Sequence, residues 1–192
     1  METTFLQKAT AAVIVIVFFM GRYAWSLISE KRKRIAVGDK LLSGRFLISV
    51  VVYLLLPALL VANPFDILVN IQISTNPQGT YYLGLILSVF GSVFMFLARL
   101  HRQKDWGLMG DAAGDKLFTR RIYGVTRHPY YVGSVLIGCG VYLILNSWLV
   151  MVMVPVVLFV GLVIKREDTF LAEKFGEEWI TYKNKVGIIP WL

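Results

Sequence analysis

Residues 131–164 read YVGSVLIGCGVYLILNSWLVMVMVPVVLFVGLVI, a run with no charged side chain that is interrupted only by Asn146-Ser147. A helix needs ~20 apolar residues to cross ~30 Å of hydrocarbon. Either half of this run is short for that, at roughly 22–26 Å for a 1.5 Å rise per residue. One unbroken helix would place Asn146 unpaired in mid-membrane, which is costly. The break therefore predicts two spans, 131–145 and 148–164, joined as a tight antiparallel helical hairpin.

Earlier in the chain the same criterion marks three longer runs. Residues 9–28 are interrupted only by Arg22 near their end. Residues 46–62 carry Pro57, a kink that neighbouring helices tolerate. Residues 80–98 place Gly84 and Gly91 seven positions apart, a stripe of small residues suited to close helix contact. The first run also has the length of a signal peptide. It lacks a small-x-small cleavage site, and removing it would leave the basic stretch 30–45 at a free N-terminus, so it is read as a span.

Composition agrees. The chain has 192 residues, 57% hydrophobic and 17% charged, where a soluble domain is nearer half apolar and a quarter charged. A net charge of +8 suggests nucleic acid in a soluble protein, but no element here carries such binding. The basic residues instead report topology. Of 20 Lys and Arg, 18 fall between Lys31 and Arg45, between Arg99 and Arg127, or from Lys165 onward. The loop 63–79 holds none. The expectation is a single all-α integral membrane domain over 1–192. It has about five spans, the N-terminus outside, the C-terminus in the cytoplasm, and a C-terminal amphipathic helix over 165–186.

Polar residues that could carry chemistry collect in two cytoplasmic segments, the loop 101–129 and the segment from Lys165. In the first, Arg127-His128-Pro129 stands directly before a span. Proline restricts His128 to extended conformations and suits the first turn of a helix. Free N–H groups at that helix start, beside Arg127 and His128, suit a carboxylate or phosphate. The same residues are also read as a snorkelling arginine and a capping histidine. In the second segment, Leu171, Phe175, Trp179 and Tyr182 form one apolar stripe at helical spacing, as a membrane-surface or bundle-capping helix requires. Glu167-Asp168 is either a solvated pair bonded to Arg127 or Lys165, or a holder for a cationic or hydroxyl-bearing ligand. The single Cys139 reads as a packing residue, and two histidines 27 positions apart give no metal-binding spacing.

Lys116-Leu117-Phe118, Tyr123 and Arg127-His128-Pro129-x-Tyr131-x-Gly133 resemble the signature of the isoprenylcysteine carboxyl methyltransferase family. Its second half is matched by Glu167-Asp168, Leu171, Phe175-Gly176-x-Glu178-Trp179-x-x-Tyr182, Val186 and Pro190. The resemblance covers about 106–190 and implies a membrane enzyme that moves a methyl group from S-adenosylmethionine to a lipophilic acceptor, a small molecule or lipidated substrate entering from the bilayer. By position it implies cofactor contacts at Asp115, Lys116, Leu117, Phe118, Tyr123, His128, Pro129, Tyr130, Tyr131 and Glu167. No general base is assigned, because alignment and exclusion of water supply most of the rate of such a transfer; Arg127 is the one further candidate. Three positions depart from the family: Asp115 where it has His, Arg121 where it has Gly, and Val163 where prenylcysteine enzymes carry an arginine. Two alternatives stay open. Lys174-Phe175-Gly176, Trp179, Tyr182 and Ile189-Pro190 also look like the tail of NADPH-dependent sterol reductases, and the scaffold could serve a non-catalytic membrane protein.

Overall fold

A computed structural model describes residues 6–17, 72–105 and 117–189. Among these the regular structure is helical: α1 (Leu6–Val17), α2 (Pro77–Asp105), α3 (Pro129–Ile144), α4 (Met153–Phe175) and α5 (Glu177–Lys185). Two short 3-10 turns, Arg121–Gly124 and Trp148–Val152, precede α3 and α4. The span read at 46–62 and the end of the first span lie outside the described residues.

Two helical stretches, Pro77–His101 and Trp148–Phe175, are long and apolar enough to cross a membrane; α1 and α3 are apolar but shorter. Neither long stretch is a buried core helix, since only 28% and 17% of their most apolar windows are covered by the protein. Leu83, Ile86, Phe90 and Phe96 on α2, and Val154, Leu158 and Leu162 on α4, stand exposed. Contiguous apolar surface of this kind suits hydrocarbon rather than water.

The helix boundaries follow from local chemistry and differ from the expected ones. α2 starts at Pro77, ahead of the expected Thr80, because Asn76 caps it. The Asn76 side-chain oxygen accepts from Gly79 N–H at 2.9 Å, and proline at the first helical position gives up no bond. At its other end α2 continues to Asp105, so 101–105 are helix rather than loop. α4 starts at Met153 rather than Trp148. Pro155 would clash with the carbonyl of residue 151 in a longer α-helix, and it is accommodated in the first turn instead. The link between α3 and α4 is therefore the stretch 145–152, longer than the expected two-residue break.

The tail differs most from expectation. The single amphipathic helix read over 165–186 is two helices. α4 runs on to Phe175, and Gly176 at φ +53° ends it and starts α5. That conformation is the left-handed one that glycine adopts without penalty. The expected apolar stripe survives the break. Leu171, Trp179, Tyr182 and Val186 form one buried cluster, with Leu117, Ala172 and Phe175 packed on it.

The chain divides into two compact units. The first comprises Met1–Ser88 and Gly138–Met151. In it, a Cβ on Gly84 would lie 2.5 Å from the Gly140 carbonyl and 2.7 Å from Ile144 N, so the backbones touch. The link after α3 is tied down here. Asn146, 1% exposed and at φ +49°, donates from its side chain to the Ser74 carbonyl at 3.0 Å, and its own carbonyl accepts from Ile73 N–H at 3.2 Å. The buried asparagine that made an unbroken helix untenable thus finds backbone partners.

The second unit comprises Val89–Ile137 and Val152–Leu192. A Cβ on Gly91 would meet the Gly133 carbonyl at 2.6 Å, and one on Gly133 would meet Met95 Cγ at 2.7 Å and Met95 N at 3.0 Å. Both glycines are needed for this approach of α2 and α3. Replacing Gly133 by valine forces the backbones apart, and overpacking of this kind costs about 1–3 kcal/mol or more. We expect Gly133→Val to lower the thermal unfolding midpoint in detergent by several degrees, whereas Gly161→Ala, inside α4 where a Cβ meets nothing within 4 Å, does not lower it and raises it slightly.

Candidate active site

Thr126-Arg127-His128-Pro129 forms the entry to α3 and the floor of the site. Pro129 is the first residue of α3, and the His128 carbonyl accepts from Val132 N–H at 3.1 Å, so His128 is held at the helix start as its position before proline dictates. Thr126 Oγ1 accepts from His128 N–H and donates to the Ile188 carbonyl. Arg127 N–H donates to the Gly187 carbonyl at 3.0 Å. These bonds hold the tail after α5 against the loop before α3. A further tie comes from the Tyr182 hydroxyl, which donates to the Tyr123 carbonyl at 2.6 Å. Burial, with the Tyr123 and Asp168 charges and against the pull of Arg127, pushes the Tyr182 hydroxyl well above the ordinary phenol range.

α4 brings its paired acids to this floor. His128 Nε2 lies 2.8 Å from Asp168 Oδ1, and Arg127 Nη1 donates to Asp168 Oδ2 at 2.8 Å. Lys183 of α5 places its ammonium 3.7 Å from the same Oδ2. The Arg127, His128 and Asp168 side chains are all buried, while Lys183 is half exposed.

Glu167 is placed differently. Its Oε2 is buried, makes no hydrogen bond, and lies 3.8 Å from His128 Nδ1. Two buried donors also lack acceptors, Arg127 Nε and the Trp179 indole N–H. The Arg127 guanidinium is 6.0 Å from the centre of the Trp179 ring. Buried polar groups are nearly always hydrogen-bonded, so each orphaned atom marks a place where a polar partner belongs.

Aromatic side chains line the same segment. The Tyr131 ring is 5.8 Å from His128, and Phe118 meets Tyr123 edge-on at 5.5 Å and His101 at 6.4 Å.

Of the residues singled out in the sequence, Tyr131, His128 and Glu167 meet at the site, and Pro129 is buried beneath it. Tyr123 is tied in through its carbonyl. Tyr130 turns to the Arg99 guanidinium, 5.6 Å from its ring, and Leu117 packs into the tail cluster. Asp115 and Lys116 lie outside the described residues.

Asp168 is the residue that the assignment of cofactor contacts passed over. Its register fits a buried face, since Ile164, Asp168 and Leu171 recur at i, i+4 and i+7 and all three are buried, but Glu167 shares that signal with Val163 and Leu171.

The sequence model of the phospholipid methyltransferase family matches residues 79–178, more than half of the chain. The chain belongs to the phospholipid methyltransferase family. Among similar proteins, the protein-S-isoprenylcysteine O-methyltransferase of Saccharomyces cerevisiae is 30% identical over 117 residues. That alignment covers 59% of this chain and 45% of the yeast protein, so the chain spans less than half the length of that relative. No solved structure matches. Together the two matches bear out the resemblance to the isoprenylcysteine carboxyl methyltransferases.

One departure of this chain from the family pattern has a physical signature. Arg121, where the resemblance places glycine, has φ +59°. The left-handed conformation costs an L-residue about 1–2 kcal/mol, and glycine escapes most of that. We expect Arg121→Gly to stabilise the protein by up to about 1 kcal/mol and Arg121→Val to destabilise it, read as shifts of the unfolding midpoint in detergent.

Proposed function

We propose that this protein is an integral membrane methyltransferase that moves the methyl group of S-adenosylmethionine to a lipophilic acceptor entering from the bilayer. The observation that carries this reading is the unbonded, buried Oε2 of Glu167, 3.8 Å from His128 Nδ1. With Nε2–H donating to the Asp168 carboxylate, a neutral His128 ring turns an Nδ1 lone pair toward Glu167. Two acceptors then face one another with no proton between them. An ammonium or hydroxyl placed beside both satisfies both, and S-adenosylmethionine carries an α-ammonium and two ribose hydroxyls. Its carboxylate fits the unused donor Arg127 Nε. Tyr131, Phe118 and Tyr123 offer aromatic surface to the adenine and the sulfonium.

Bound in this way, S-adenosylmethionine supplies an electrophilic methyl on a positively charged sulfur. The residues of this chain bind and align it and keep water from it; no side chain needs to move a proton when the acceptor is already nucleophilic. The exposed hydrocarbon faces of α2 and α4 suit an acceptor that arrives through the lipid. The basic loops suit a cytoplasmic site with the N-terminus on the far side of the membrane.

Titration of the purified protein in detergent with S-adenosylhomocysteine is expected to give saturable binding. Removing a charge-assisted hydrogen bond costs about 1.5–3 kcal/mol, so His128→Ala and Glu167→Ala should each weaken that binding about 10- to 100-fold. Binding of NADPH in place of S-adenosylhomocysteine would overturn the proposal in favour of a reductase.

The acceptor itself is narrowed by Val163, which lies one turn before Glu167 and is buried. An isoprenylcysteine carboxylate finds no arginine there. If that acceptor is used, Val163→Arg should raise turnover of a prenylcysteine test substrate; an unchanged or lower rate means that the missing cation does not limit it.

A further inference from the structure

The two adjacent acids of α4 do different work, and the difference is visible in what their oxygens touch. Glu167 keeps Oε2 without a hydrogen bond. Asp168 has both oxygens engaged within the protein. Oδ1 is held by His128 Nε2 at 2.8 Å, and Oδ2 by Arg127 Nη1 at 2.8 Å with the Lys183 ammonium at 3.7 Å. A buried carboxylate engaged on both oxygens by the protein is tied to its frame, and Glu167 is the acid with an unbonded oxygen for a ligand ammonium or hydroxyl.

We propose that Asp168 is a positioning residue. It fixes the His128 ring, in both orientation and tautomer, so that Nδ1 faces Glu167, and it holds the Arg127 guanidinium with Nε unpaired beside it. This rests on the methyl-donor reading of the Glu167–His128 gap, and it extends that reading to a residue that does not touch the donor.

Imidazole tautomers are set by what the other nitrogen bonds. An ionised Asp168 accepts only, so the proton of a neutral His128 ring sits on Nε2. Asp168 is the group that dictates this. Glu167 is too far from Nδ1 for a hydrogen bond, Arg127 can only donate, and Lys183 meets the ring only through Asp168. Asp168 also draws together the entry to α3, α4 itself and α5.

In Asp168→Asn the amide keeps the size and loses the charge. Its carbonyl turns to the obligate donor Arg127 and its NH₂ to His128 Nε2, which moves the ring proton to Nδ1, opposite Glu167. The gap then no longer presents two acceptors.

The test uses the full-length protein in detergent, labelled with 15N-histidine. The chain has two histidines, so the spectrum of His128→Ala identifies the His128 signals. Recorded at a pH where the ring is neutral, the wild type should show its proton on Nε2, and Asp168→Asn should reverse or average the two nitrogens. S-adenosylhomocysteine affinity should fall about 10- to 100-fold in Asp168→Asn, the range typical when a partner that orients a site histidine is removed, and recover in part in Asp168→Glu. A thermal unfolding midpoint for each variant separates these readings from loss of fold. If Asp168→Asn does not fold, Asp168→Glu carries the same two readouts, with smaller shifts in the same direction.

Unchanged His128 ring signals together with affinity within about twofold of wild type would overturn the role of Asp168. A wild type that binds no S-adenosylhomocysteine overturns the methyl-donor reading instead. The nitrogen signals alone then decide whether Asp168 sets the ring.

Discussion

The entry to α3, the middle of the tail and the site between them depend on one desolvated carboxylate. Removing a carboxylate from water costs several kcal/mol, and that cost is offset only when its oxygens are fully bonded in good geometry. Asp168 meets the condition with two 2.8 Å contacts, to Arg127 and His128, and a more distant ammonium from Lys183. Stripping away one partner of such a group leaves a buried charge unpaired, typically at about 3–5 kcal/mol, so the cluster constrains every element that contributes to it. The backbone bonds of Arg127 and Thr126 to Gly187 and Ile188 then hold the tail where that cluster needs it.

Most of this was legible in the sequence wherever a residue's chemistry left few choices. Pro129 suits the first turn of a helix, which puts His128 at its entry, and the structure has it there. Gly84 and Gly91 predicted close helix contact, and both press on backbone of α3. The aliphatic and aromatic stripe from Leu171 to Tyr182 predicted a buried face, which it is. These signals are local or periodic, and they survive errors of a residue or two in the ends of elements.

What escaped was set by tertiary context. A stripe that keeps its period across a glycine reads as one helix, because periodicity does not record the φ of +53° that breaks it at Gly176. Glu167 and Asp168 are neighbours of equal charge, so composition does not rank them. Register does not rank them either, since Val163 and Leu171 flank Glu167 as Ile164 and Leu171 flank Asp168; the partners Arg127 and His128, far away in sequence, do. Arg121 shows the reverse case. Its sequence carries no turn signal, yet the backbone there adopts the left-handed conformation that the family meets with glycine.

Neighbouring residues on a helix point ~100° apart, and α4 uses that separation to divide two functions between two identical charges. Asp168 serves the frame, with both oxygens engaged by Arg127 and His128. Glu167 is kept buried with an unbonded one, an arrangement that costs stability in the empty protein and is offset when a donor arrives. One turn earlier on the face of Glu167 stands Val163, at the end of the apolar run. In the methyl-transfer reading, the surface of α4 next to the reactive methyl is therefore polar toward the cofactor and hydrocarbon toward the acceptor. A site built in that way binds its acceptor mainly by excluding water from it. The acidic frame behind Glu167 must then be rigid, because few polar contacts to the acceptor remain to correct its alignment.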